Sequence, residues 1–363
     1  MAQLAPTDEQ RQAAVEIADS LRYGHYANIN FDPQWSEEAF QRYLDILDGQ
    51  RAYLLNRDIE PYRHLENEMA EALFEGELDD AFALYNRLSE RHTARLEWLL
   101  ARLDEGLSLE FESDERLEVD RESAPWASRE SELDELWRKR LKNDALTLAL
   151  TGQDDEQIEN NLRQRYEGQL TRLRQTESED VFGLLMAAVS STIDPHTGYL
   201  SPRQGESFDI QMSLSLEGIG ALLQADGEYV KVSSLVPGGP ADRAGVLEPA
   251  DRIIAVGQED GEMVNVVGMR LDNVVDLIRG PKGSVVRLDV VPAQAVDMTR
   301  SQIVEITRDT VSLEDQAAKG EVIEVMRDGE PHRIGVITVP TFYVDFDAWQ
   351  PGEDEYRSTT RDV

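Results

Sequence analysis

The spacing of apolar and polar positions changes character once along the chain. From residue 8 to about 192 the apolar residues recur at intervals of three and four, as in amphipathic helices. Val15, Ile17, Ala18 and Leu21 mark a helix over 8–24 that stops at Gly24. After a break at Asp32-Pro33, Ser36 is placed to cap a second helix. Glu37 and Glu38 then fall in its first turn, with Phe40, Tyr43, Leu44 and Leu47 on one stripe. A longer stripe follows Gly76, from Phe82, Leu84, Tyr85 and Leu88 to Leu96, Leu99, Leu100 and Leu103 before Gly106. Residues 107–120 alternate loosely through Leu107, Leu109, Phe111, Leu117 and Val119, which predicts a short hairpin. Helical spacing resumes over 128–150, 154–175 and 178–192.

Two prolines and a glycine within Asp194–Pro202 end this regime and predict a connector. Strand patterns take over: Ser213–Leu223, Tyr229–Leu235, Arg252–Val256, Val285–Val291 and Gln302–Thr307. Two short helices, Pro240–Ala244 and Leu271–Ile278, interrupt them. Residues 321–344 predict a hairpin turning at Asp328-Gly329, followed by an apolar strand over Ile334–Val339. The stretch from Asp345 to Val363 is polar and closes on nothing, and Arg357–Val363 reads as a helix that begins and is then cut. The expected fold is therefore multidomain α+β. An all-helical region over 1–200 precedes a mixed β domain over 205–310, and 311–363 forms an incomplete start of something further.

Composition narrows the function. The 363 residues are 40% hydrophobic, enough for real cores. Seventy-two Asp and Glu face 36 Lys and Arg, for a formal charge of −36. That sign rules out a nucleic-acid surface as the main business, because phosphate binding needs the opposite charge, and it works against docking on an anionic membrane. No apolar run reaches the roughly 18 residues of a membrane span. Only five of the basic residues are lysine, and 31 are arginine. An acidic, lysine-poor surface suits concentrated salt; it also suits ordinary solubility in a protein from a GC-rich genome. There is no cysteine, so thiol catalysis, disulfides and thiolate metal sites are excluded. Met1–Leu4 shows no basic start or apolar leader.

Candidate chemistry is sparse. His25, His64, His92, His196 and His332 are scattered without a metal-binding pattern; His64 and Glu68 sit four apart, a pairing that arises readily by chance. Neither metal nor cofactor is expected. No G-x-S-x-G elbow is present. Gly218-Ile219-Gly220 lacks the third glycine of a dinucleotide loop. Gly280-Pro281-Lys282-Gly283-Ser284 follows a helix and precedes a strand, the wrong order for a phosphate loop.

More informative is Leu216–Leu223. Glycines at the mouth of a strand let backbone amides converge on one point, and such a nest holds a carboxylate. The strand that follows, with Leu222 and Leu223, offers an edge to an added peptide strand. The later helix presents Leu271, Val275 and Ile278 on one face. Strand, helix and loop together make a reader of protein C-termini; a plain glycine bend explains the same residues.

Resemblance separates these readings. Ser234–Gly245, with Gly238-Gly239-Pro240-Ala241 at its centre, is similar to a characteristic PDZ turn, although Ala250-Asp251 stands where that family has Gly-Asp. Asp194–Pro202, Met212–Ala221 and Gly280–Ser284 together resemble the tail-specific proteases, or C-terminal processing peptidases. The long periplasmic variety of that family has an acidic helical N-terminal region, as here. Gly335–Tyr343 resembles the opening strand of the family's catalytic domain.

The resemblance implies that amides around Gly218, Ile219 and Gly220 take a terminal carboxylate. Ile219, Leu271, Val275 and Ile278 would line an apolar pocket, and Leu222 and Leu223 would form the augmenting strand. It further implies a serine–lysine dyad, protein substrates with apolar tails, a possible lipoprotein adaptor as partner, and a periplasmic location. No residue of this chain matches the dyad: Lys319 is the only lysine after the PDZ-like part and precedes the catalytic strand. The chain is therefore expected to recognise tails and not to cleave alone. The competing expectations are a non-enzymatic PDZ adaptor and a scaffold whose groove is closed.

Overall fold

A computed structural model describes residues 3–106, 111, 114–295, 300–327, 329–349 and 356–363. The chain divides into two compact units, Met1–Ser201 and Pro202–Val363.

The first unit is helical: α1 (Asp8–Tyr23), α2 (Pro33–Asp48), α3 (Asn56–Ile59), α4 (Leu65–Glu75), α5 (Asp79–Asp104), α6 (Glu130–Leu150), α7 (Asp155–Arg174) and α8 (Ser178–Ser191). Thr7 and Gln10 close a capping box on α1. Helix α2 starts earlier than predicted. Asp32 accepts the Trp35 N–H and Pro33 occupies the first turn, where its fixed φ and missing N–H cost nothing. Ser36 therefore caps no helix; it is fully buried, and its Oγ accepts the Ala70 N–H of α4.

The long stripe of α5 serves two cores. Phe82, Leu84, Tyr85 and Leu88 pack with α1, α2, α4 and α8, whereas Leu96, Leu99 and Leu103 pack with Trp137, Leu141, Leu162 and Tyr166 of α6 and α7. Buried carboxylates tie the loops to these cores. Asp48 accepts the N–H groups of Ala52, Tyr53 and Leu54. Asp58, with a side chain 2% exposed, pairs with Arg87 at 2.7 Å and Arg91 at 2.8 Å. Burial alone would raise the Asp58 pKa, but the arginine and Leu55 N–H bonds outweigh it and hold the carboxyl low.

The hairpin predicted over 107–120 is not found in its described part. Leu107 and Leu109 of the predicted hairpin lie outside the described residues, and Leu117 and Val119 form no strand. The Asp194–Tyr199 segment has neither helix nor strand, as expected of a connector, and it is anchored by side chains. His25 Nε2 lies 3.0 Å from Thr197 Oγ1 and 3.2 Å from Asp194, and Tyr199 packs edge-on against Phe182.

The second unit contains α9 (Pro202–Ser213), β1 (Ser215–Gly218), β2 (Ala221–Asp226), β3 (Tyr229–Leu235), α10 (Pro240–Ala244), β4 (Arg252–Gln258), β5 (Val264–Asn265), α11 (Leu271–Ile278), β6 (Val285–Val291), β7 (Gln302–Thr307), β8 (Asp309–Ser312), β9 (Lys319–Arg327), β10 (Glu330–Thr338) and α12 (Thr359–Asp362). The main sheet runs β2-β3-β4-β6-β7 with β5 beside β4; β1 pairs separately with β8. All these pairings are antiparallel. Val232, Ile253, Val274, Val286, Leu288 and Val290 form its core and are essentially sealed from solvent.

Three sequence expectations change here, and one element is unexpected: helix α9 begins at Pro202, the last residue of the predicted connector. The single strand expected over Ser213–Leu223 is split into β1 and β2 at Ile219–Gly220. The predicted hairpin exists as β9 and β10, but Ile334 lies within β10, paired with Ile323, and not in a third strand; Asp328 lies outside the described residues. The terminal stretch does close on something: Tyr343 is buried against Leu214 and Ala317, and its hydroxyl donates to Asp362 of α12 at 2.6 Å.

Among the described residues Arg308 is the largest fully buried side chain. Its Nε donates to Ile278 O and its NH2 to Leu277 O and Gln258 Oε1, so it caps the last carbonyls of α11. Gly280 lies so close above it that a Cβ there would sit 3.0 Å from the guanidinium carbon. The glycine in that phosphate-loop-like segment thus serves packing.

Candidate peptide groove and the family of the chain

The candidate groove lies where β2, α11 and the Gly218–Gly220 loop meet. Among the described residues strand β2 pairs with β3 alone, which leaves its other edge unpaired there. Helix α11 packs against β2. The loop between β1 and β2 is shaped by one glycine. Gly220 has φ +72°, and a Cβ there would meet Gly239 Cα and Val311 Cγ2, both at 3.3 Å. Only glycine adopts this conformation so close to another backbone at no cost.

Two hydrogen bonds then orient the loop. Ile219 O accepts the Ala241 N–H and Gly220 O accepts the Val236 N–H, both at 2.8 Å. In a planar trans peptide the carbonyl and the following N–H point opposite ways. The Gly220 and Ala221 amides therefore face away from the 236–241 turn. Neither the Ile219 nor the Gly220 amide donates to any described residue. A left-handed residue flanked by outward amides is the geometry of an anion-binding nest.

The structure sorts the predicted residues. Leu271 and Val275 of α11 are half-buried, as is Leu223 of β2. Ile278 is 3% exposed and joins Val274 inside the core, because those two positions, not the Leu271–Val275 pair, face the sheet. Its place is beneath the groove and not on its wall. Ile219 is also core, at 3% exposure. Leu222 is 55% exposed and contributes backbone to the β2 edge. Gly218 is buried and pairs with Asp309 across β1 and β8. Ala221, absent from the sequence expectation, follows from the alternation of amides along the strand.

Charged groups surround the loop. Glu217 Oε2 accepts the Lys282 N–H at 3.0 Å. The Asp309 carboxylate pairs with Lys282 at 2.8 Å and Arg243 at 3.0 Å, and the Lys282 bond in particular keeps its pKa low. On the outer side of α11, Arg203 of α9 reaches Asp272 at 2.9 Å, Asn273 at 2.7 Å and Asp276 at 2.8 Å. Beside β1 a cavity of about 760 Å³ opens between α9, Arg279-Gly280 and residues 344–348.

The histidines do not gather. His64 bonds Asp80 at 2.9 Å and not Glu68, and His92 stacks on Tyr53, its pKa pushed down to about 4 by burial. Among the described residues no cluster of three metal-ligating side chains occurs.

Comparison with known proteins agrees with this architecture. The tail-specific protease N-terminal domain model matches residues 17–203, just over half of the chain, and the PDZ domain model matches 207–291. The tail-specific protease of Haemophilus influenzae is 37% identical over 341 residues, covering 94% of this chain and 48% of that protein. The carboxy-terminal processing protease CtpA of Bacillus subtilis is 36% identical over 163 residues, 45% of this chain and 31% of that protein. Among solved structures, the peptide-complexed PDZ domain of a carboxy-terminal protease from Vibrio cholerae is 54% identical, covering 28% of this chain and all of that one, with a TM-score of 0.27. The chain thus spans about half the length, or less, of these curated relatives. With a helical domain and a PDZ domain in that order, and matches to both, the chain belongs to the tail-specific protease family.

Proposed function

We propose that the second unit captures the C-terminal tails of proteins ending in apolar residues. In this reading the tail adds a strand to the free edge of β2, and its last side chain rests against Leu223, Leu271 and Val275. Its carboxylate takes the outward amides of the loop, Gly220 and Ala221 foremost. The observation that carries the proposal is a Gly220 amide with no acceptor among the described residues, at the head of a strand edge that none of them pairs with. An amide that finds no partner in the protein is available to a ligand.

The same proposal gives the chain its part in a serine endopeptidase of the tail-specific kind. It supplies recognition, and the serine and lysine that cut are assigned to none of its residues. A periplasmic setting belongs to this proposal; no helix among the described residues is long and apolar enough to cross a membrane.

The test is a titration of the purified chain with a labelled peptide ending in apolar residues, beside the same peptide amidated at its C-terminus. Binding that disappears on amidation is expected. Equal binding of both peptides, or none, overturns the proposal.

A further inference from the structure

The loop after α2 gathers two arginines from distant parts of the helical unit. Gln50 Oε1 accepts the Arg121 N–H at 3.1 Å. Ala52 O accepts the indole N–H of Trp137 at 2.7 Å, and the Trp137 ring lies 5.2 Å from that of Tyr53. The guanidinium of Arg140, on α6, sits 4.9 Å from the Trp137 ring centre. Arg140 is half-buried, yet it donates no hydrogen bond and pairs with no carboxylate among the described residues. Every other buried or half-buried arginine among them does one or the other.

Arg121 shares this condition in part. Its guanidinium pairs with Glu118 at 2.8 Å, but its Nε is buried without a partner among the described residues. Burial lowers the Arg140 pKa and the Arg121 charge adds to that effect, while Tyr53, Asp48 and Asp144 oppose it. Both of these carboxylates are engaged elsewhere. Asp48 accepts the N–H groups of Ala52, Tyr53 and Leu54. Asp144 accepts the Tyr166 hydroxyl at 3.3 Å and faces Arg165 at 3.6 Å. The Trp137 face attracts Arg140 from one side only. A guanidinium stays charged, so a partly buried pair of them is costly until an anion joins it.

We propose that Arg140 and Arg121 together bind a small oxyanion of the phosphate class. Arg140 offers its whole planar fork and Arg121 its free Nε, a donor set that suits phosphate oxygens. A net charge of −36 repels a polyanion, whereas one small anion needs only this local pair. The site belongs to the helical unit and owes nothing to the peptide groove.

The test is calorimetric titration of the 363-residue chain with inorganic phosphate and with glycerol phosphate, at an ionic strength held constant with chloride. Saturable binding of at least one of them is expected, with a Kd of about 1 mM or tighter. Which of the two binds tells whether the phosphate is free or carried on an organic group. Arg140→Gln and Arg121→Gln should each weaken binding about tenfold. Arg42→Gln removes the same charge from an exposed arginine of α2 and should change nothing. Thermal melts without phosphate check that each variant is folded. Should Arg140→Gln not fold, Arg140→Lys carries the test: it keeps the charge without the fork and should still lose affinity. No saturable binding by the parent chain overturns the proposal. So does full affinity in the Arg140 and Arg121 variants, or an equal loss in Arg42→Gln, which would reduce the effect to diffuse charge.

Discussion

The Gly220 carbonyl accepts the Val236 N–H at 2.8 Å, and that bond fixes which way the amide of the next residue points. The 236–241 turn thus shapes the groove from outside it. It holds the loop carbonyls on one side and leaves the amides on the other.

Replacing Gly220 with alanine should damage both stability and binding. The left-handed φ costs a side chain about 1–2 kcal/mol, and the new Cβ would press on Gly239, Val311 and Pro240 at 3.3–3.4 Å. Urea denaturation should show a loss of at least that size, and peptide titration a loss of the free-acid preference. An unchanged midpoint would mean that the loop has room the structure does not show.

Leu271 and Leu222 offer a contrast. Leu271→Asp puts a carboxylate on the half-buried groove wall and should abolish tail binding. Leu222→Asp changes a side chain 55% exposed on β2 and should leave affinity within about twofold. Fluorescence anisotropy with one peptide reads both. Loss of binding in both variants, or in neither, would remove the assignment of the wall to Leu271.

Asp58 should govern acid sensitivity of the helical unit. Its folded pKa is held below the unfolded value, so its stabilising contribution is complete above the ordinary aspartate range. That contribution is lost as pH falls through the folded pKa, below about pH 4. At neutral pH Asp58→Asn should cost roughly 3 kcal/mol, because Arg87 and Arg91 lose a buried partner. The gap between the parent chain and the variant, followed by denaturation from pH 7 to pH 3, should narrow on acidification. A constant gap would show that the pair is not charge-driven.

Arg308→Gln should destabilise the second unit by roughly 1–3 kcal/mol by leaving the Ile278 carbonyl unpaired, whereas Leu277 O keeps its bond from Gln258 Nε2. Arg308→Lys should rescue little, since a single ammonium cannot fork to Ile278 O, Ser284 Oγ and Gln258 Oε1 together. Hydrogen exchange at the C-terminal turn of α11 locates the effect. Full rescue by lysine would reduce Arg308 to a point charge.

Much of the architecture was legible because it rests on short-range patterning. The three-to-four spacing of Phe40, Tyr43, Leu44 and Leu47 belongs to α2, and the period-two runs at Tyr229–Leu235 and Val285–Val291 coincide with β3 and β6. Misread points came where a local signal had two uses. Ser36 is a good cap in isolation, but Asp32-Pro33 is a better start, which frees Ser36 for a bond to Ala70. The glycines at 218 and 220 marked the loop, yet only Gly220 requires its glycine by φ.

Local sequence thus suffices for the helical region, the PDZ strands and the glycine hinge, because helix period, strand alternation and turn chemistry are properties of neighbouring residues. Which amides stay free, that Ile278 faces the core while Val275 does not, and that Arg203 lies against Asp276 all depend on partners far away in the chain. Hydrogen bonds and ion pairs are satisfied in space, and no spacing rule lists residues 203 and 276 as neighbours before the chain has folded.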